Sequence, residues 1–334
     1  MAQSCHRERT ACVVDTLRDA LHATEFTTGV RGGLVAFGVT VVLGLLWWRT
    51  RPDAAPLPIA GLAAAVACAY ALRERLGLPD RVLLGLALLA LAGLVVDIMR
   101  MSIAYVVVGA IPGAVVIASV DAPINALWAR SLVVATTVIG GIAVASFDRR
   151  WTRHGLGAPL VAMWVLGAYV TLPDTEAALA MLGATVVVAV SAWPLRLACV
   201  GACGALPIAG LIGWTARYSG TGRVSSMVGA VACAGVLVVE PATRLLRGFG
   251  TGPLDVLVNP SRGRWWTLLA VAPVQLALVF VAGRIAGLSR EVERAVVVVA
   301  VEAIVAIAAS LVLSAKLAAI ELHRDDTDAR VTPK

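Results

Sequence analysis

Runs of about 16–20 apolar residues, close to the length a bilayer demands of a helix, follow one another along nearly the whole chain. Short polar stretches separate them. No period-two alternation of the kind a membrane strand needs is present, so each run reads as a helix that satisfies its own backbone. The pattern predicts eleven spans, near 33–48, 57–72, 82–98, 103–120, 131–147, 157–172, 177–193, 197–214, 224–240, 266–283 and 295–315. Ahead of them, Val13, Val14, Leu17 and Leu21 fall at helical spacing among charged residues, as in an amphipathic helix on a membrane surface. The expected fold class is all-α, a polytopic membrane protein of about 11 transmembrane helices.

The spans also recur in order. Gly38-Val39-Thr40-Val41-Val42, ending at Trp48-Arg49, echoes Gly183-Ala184-Thr185-Val186-Val187, ending at Trp193 and Arg196. The hexapeptide Leu57–Leu62 returns unchanged as Leu206–Leu211. Arg81-Val82 with its closing Asp97 matches Arg223-Val224 with Glu240, and Pro112 matches Pro273. Arg130 to Ser146 has the length of Arg294 to Ser310. Pairing spans one to five with seven to eleven leaves the sixth as a connector, a 5+1+5 internal duplication. An even number of crossings separates equivalent spans, so both copies are expected to face the same way. The predicted organisation is a surface segment 1–32, repeat one 33–150, a connector region 151–176, repeat two 177–320 and a charged tail 321–334.

Composition agrees with a bilayer as solvent. The 334 residues are 59% hydrophobic and only 15% charged, with a mean hydropathy of +0.87. Of 28 basic residues only Lys316 and Lys334 are lysines, against 21 acids. The arginines stand singly or in twos and threes between apolar runs, where they act as topology signals and headgroup contacts and not as a nucleic-acid footprint. Arg149-Arg150-Trp151-Thr152-Arg153 contrasts with the hairpin Pro173-Asp174-Thr175-Glu176, which puts the arginine loop inside and the chain N-out/C-in. The bias to Arg, Ala, Val and Gly points to a bacterial cytoplasmic (inner) membrane. Six cysteines form no disulfide framework, and Cys199 and Cys203 read as small packing residues.

Candidate chemistry is sparse. His6, His22, His154 and His323 all lie outside the spans, which argues against an intramembrane zinc protease or histidine-held haem. No catalytic motif, metal or cofactor is implied. Glu302 sits midway along the last span with only apolar residues at i±3 and i±4, and such a group normally faces a bundle interior or a cavity. Its repeat counterpart is Val138. Asp97 with Arg100, and Glu240 with Arg244, place acid before base at matching helix ends, as candidate gate ion pairs. Pro112 and Pro273 interrupt the fourth and tenth spans, and Gln275 adds a neutral polar group beside the second; paired interruptions in two halves point to a transport pathway. The reading is therefore a secondary transporter or flippase of unknown substrate, working between two five-helix repeats. The alternatives are an enzyme acting on a lipid-linked substrate at the 241–265 loop through Asp255, Arg262 and Arg264, or a non-catalytic assembly subunit. The partners implied are the lipid bilayer and an unknown small-molecule or lipid substrate, with no nucleic acid; oligomeric state is not implied.

Overall fold

The computed structural model describes residues 23–50, 56–99, 103–151, 155–172, 175–193, 197–219, 224–246 and 271–279, with Met101, Leu195, Leu268 and Leu269. Among them the chain is all helix, with no strand. The helices are α1 (Thr24–Thr50), α2 (Ala60–Leu76), α3 (Asp80–Met99), α4 (Ile103–Ser119), α5 (Leu127–Ala135), α6 (Gly141–Trp151), α7 (Gly157–Thr171), α8 (Glu176–Ala192), α9 (Gly201–Ser219), α10 (Val224–Ala232) and α11 (Val236–Leu246). A π-helical turn, Thr136–Gly140, joins α5 to α6 without interrupting the rod. A helical segment covers 271–279.

Three of these rods, Thr24–Thr50, Asp80–Met99 and Leu127–Arg149, are long and apolar enough to cross a membrane. The surface is that of a protein dissolved in lipid. Large apolar side chains point outward, with Leu127 81%, Ile98 72% and Val35 71% exposed, while alanine and glycine fill much of the interior. In lipid there is no gain from hiding leucine, so helices pair through small residues that let backbones approach. The buried stripe of α1 shows this: Thr28, Gly29, Gly33, Ala36, Thr40 and Gly44 recur at steps of one, three or four residues.

That stripe docks α1 against α8. A Cβ added to Gly33 would meet Ala184 and Val187, and one added to Gly44 would lie 2.7 Å from the Leu197 carbonyl oxygen. Contacts that rise together in both chains mean the two helices run parallel. α2 and α9 also start side by side: the Leu57 carbonyl accepts the Cys199 amide at 2.9 Å, and the Ala60 amide donates back to Cys199 at 3.0 Å. Leu57 and Ala198 form the corresponding parallel bridge. The repeated hexapeptide therefore does not occupy the same level of these two helices. Leu57 opens α2, whereas Leu206 stands eight residues beyond Ala198, and Pro207 lies inside α9.

α9 is the axis of the bundle. Every residue of it except Tyr218 is buried, and α2, α3, α5, the π-turn, α6 and α10 all touch it. Its glycines set the distances: Gly204 lies on Gly61 of α2, and Gly213 lies on Val133 and Thr136 at the π-turn.

Candidate functional site

The expected ninth span is not one helix. α10 stops at Ala232, Cys233–Gly235 form a turn, and α11 starts at Val236. Gly235 has φ 48, a left-handed conformation, and a Cβ there would come within 2.6 Å of the Gln275 amide oxygen. Only glycine suits both conditions. Breaking a helix frees backbone groups that lipid cannot satisfy. Here Gln275, fully buried, closes the gap: its Oε1 accepts the Val236 amide at 2.8 Å and its Nε2 donates to the Cys233 carbonyl at 2.8 Å. On the other side, the Trp164 indole donates to the Ala230 carbonyl at 2.9 Å. Glu240 is buried on α11 one turn past the break.

The two prolines are placed differently. Pro112 lies within α4, which continues through it, and Pro112 faces outward. Pro273 is likewise exposed, two residues before Gln275, so one segment presents proline outside and its amide inside. Glu302 and Arg100 lie outside the described residues, as do the side chain of Arg244 and residues 247–267.

A second polar cluster gathers where α2 and α9 begin and α3 and α6 end. Asp148, buried near the end of α6, accepts the Gly201 amide through Oδ2 at 3.1 Å. Asp97, near the end of α3, accepts the Cys203 amide through Oδ2 at 3.0 Å. Two carboxylates from different helices thus take the leading amides of α9, the place where a helix dipole favours negative charge. Asp97 also pairs through Oδ1 with Arg149 at 3.4 Å, and Arg149 donates to the Met101 carbonyl at 3.1 Å. The Cys203 thiol donates to the Pro58 carbonyl at 2.7 Å, and the Cys199 thiol to that of Pro56 at 3.5 Å. Both thiols are buried and hydrogen-bonded to backbone carbonyls, as small packing residues are. Replacing Asp148 with alanine is expected to cost about 1–3 kcal/mol, the penalty of an orphaned amide. Thermal unfolding in mild detergent measures it, and an unchanged melting temperature would contradict the capping role.

The far end of α9 carries Arg217, with no exposed surface at all. Its Nε donates to the Ile124 carbonyl at 2.7 Å, Nη1 to Ala118 at 2.8 Å and Nη2 to the Asn125 side chain at 2.6 Å. From Gly201 to Arg217 along the helix is ~24 Å at 1.5 Å per residue, comparable to a hydrocarbon core of about 30 Å. The buried axis therefore carries its polar groups at its two ends, with an apolar middle between them.

Asp148 and Arg217 carry these two ends, yet neither stood out in the sequence, where Asp148 abuts the Arg149-Arg150 pair and Arg217 falls past the predicted span end. The retrievable signal was the position of each, one turn or less beyond an apolar run. Among the described residues no three His, Cys, Asp or Glu side chains come together as a metal would need.

Fold and surface define a helical membrane protein with an interrupted helix and a buried central one. No family model and no curated protein matches this sequence.

Proposed function

We propose that the chain is a secondary transporter or flippase that works between two five-helix halves facing the same way, within eleven crossings of a bacterial cytoplasmic membrane. The observation that carries this reading is the interruption between α10 and α11 with Gln275 inserted into it. Discontinuous helices near the bilayer midplane are where transporters build substrate and ion sites, because a broken helix offers directed backbone groups in an otherwise silent medium. The parallel packing of α1 on α8 and of α2 on α9 supports two halves of common orientation.

In this mechanism the half-helices and Gln275 form the binding region, Glu240 lies one turn away, and Glu302 serves as the coupling group. At the inner surface Asp97 and Arg149, with Asp148 on the end of α9, act as the gate. Opening it releases the leading amides of α9 and breaks an ion pair that is only partly screened. The chain is N-out/C-in, with the Asp97 end facing the cytoplasm.

Reconstitution into liposomes tests this directly. Translocation of fluorescent phospholipids and of a panel of small solutes, with and without a proton gradient, is compared for the wild type, Gln275→Leu and Glu302→Gln. Gln275→Leu is expected to lower the rate at least about tenfold, since a leucine leaves the Val236 amide and Cys233 carbonyl unpaired in the pathway, at about 1–3 kcal/mol each. Glu302→Gln is expected to abolish the response to the proton gradient. Wild-type rates in both variants would sink the pathway, and an absence of any flux above empty liposomes would sink the class.

A further inference from the structure

An apolar groove of ≈ 520 Å³ runs between α1 and α2 on the outside of the bundle. Val35, Val39 and Leu43 form one wall, Leu62 and Val66 the other, and Gly32 lies at the polar end. The smallness of Gly32 is what opens this end, since a Cβ there would lie 3.2 Å from the Tyr70 ring.

That end carries Arg31 and Tyr70. Arg31 is exposed and makes no hydrogen bond or ion pair among the described residues. The neighbouring cations are engaged: Arg75 donates to the Thr28 hydroxyl at 2.9 Å, and Arg73 pairs with Asp80. A smaller groove of ≈ 330 Å³ on the other side of α2 meets Arg73, whose charge is thus already answered. Of these two grooves the larger ends at a positive charge with no ion pair among the described residues, beside the Tyr70 hydroxyl that Glu74 holds.

The depth is also set. Arg31 and Arg49 are separated by ~27 Å along α1 at 1.5 Å per residue, so each stands near one surface of a core about 30 Å thick. Trp47 and Trp48 precede Arg49, as aromatic residues do at an interface. From Arg31 to Leu43 the groove descends ~18 Å, and half the hydrocarbon core is ~15 Å. Its length is therefore that of one leaflet's acyl chain.

We infer that this groove is a binding site for an anionic phospholipid, with one acyl chain lying between α1 and α2 and the phosphate held by Arg31. Guanidinium and phosphate suit each other as charge and as hydrogen-bonding fork, and the apolar walls admit nothing that must stay hydrated. This site is separate from the interrupted helix and stands whether or not the chain transports anything.

The test is native mass spectrometry of the full-length chain, stripped of lipid in detergent and titrated with dioleoylphosphatidylglycerol, with dioleoylglycerol, and with inorganic phosphate. One phosphatidylglycerol is expected to bind more tightly than diacylglycerol, and inorganic phosphate alone is expected to show no specific adduct. Arg31→Gln should weaken phosphatidylglycerol about fivefold, the worth of one arginine at a membrane surface, and leave diacylglycerol unchanged. Ala63→Phe, in the α2 wall beside Leu62, and Val39→Trp, in the α1 wall, should each weaken both lipids, with melting temperatures confirming that the variants fold. Binding of phosphatidylglycerol within twofold of wild type in Arg31→Gln would overturn the headgroup assignment. No lipid adduct in the wild type, or a second copy of the chain in its place, would overturn the site.

Discussion

Arg217→Leu is expected to leave no folded protein after extraction in mild detergent. The guanidinium has no exposed surface, and its three bonds go to neutral acceptors: the Ala118 carbonyl in the last turn of α4, and the Ile124 carbonyl and Asn125 side chain in the segment after it. Exchanging a buried ion pair for apolar groups can be harmless when both partners are replaced. Here the acceptors would remain. The Ile124 and Ala118 carbonyls and the Asn125 amide oxygen would lose their donor together, at about 1–3 kcal/mol each. Losses of that total belong to the rare severe class. Arg217→Lys should recover only part of the loss, because an ammonium cannot present three donors in a fixed fork. Size-exclusion profiles after graded heating give the comparison; a monodisperse Arg217→Leu protein melting within two degrees of wild type, on the order of a 1 kcal/mol change, would refute the assignment.

The second large effect is steric. A Cβ on Gly204 would fall inside the backbone of Gly61, and one on Gly61 would lie 2.5 Å from the Val200 carbonyl oxygen. Gly204→Val is therefore expected to push α2 off α9 and cost about 3 kcal/mol or more, the upper range for overpacking a core. Gly38 supplies the contrast on α1, with open space where its Cβ would be. Gly38→Ala should be neutral or slightly stabilising, since alanine is the better helix former. If both variants melt alike, close approach is not what holds α2 on α9.

Much of the helical layout was legible because a bilayer writes it plainly. The apolar runs predicted at 33–48, 57–72, 82–98 and 103–120 each fall within or closely overlap a helix; the first and third lie within rods able to cross a membrane, and the second overlaps the shorter α2. The break at Cys233–Gly235 was not legible. Its apolar run continues without a pause, and Gly235 is one of 31 glycines. What stabilises the break comes from Gln275 and Trp164, distant in sequence, and local hydrophobicity carries no trace of either. Gln275 itself could be singled out, as a lone amide in an apolar stretch. The pairing of acids was only half readable, since helical spacing offers Asp97 a partner at Arg100 but says nothing of Arg149 on another helix. The hexapeptide's difference in level was readable from the predicted spans, since 57–72 begins just before Pro58 whereas 197–214 encloses Pro207, and the helices agree, one opening just after Pro58 and the other embedding Pro207.

The enclosure of α9 bears on how the protein is made. It is 19 residues long yet absent from the helices apolar enough to cross a membrane, being rich in glycine and carrying Pro207 and Arg217. Such a segment gains little by entering bare lipid, and an arginine near its end adds to the cost. Its hosts α2, α3, α5 and α6 are all synthesised before it, and α10 follows directly. α9 is therefore expected to pass from the insertion machinery into a reception chamber formed by older helices, and a chain halted after Ala192 should be a sheath without its axis, recognised and degraded as unfinished.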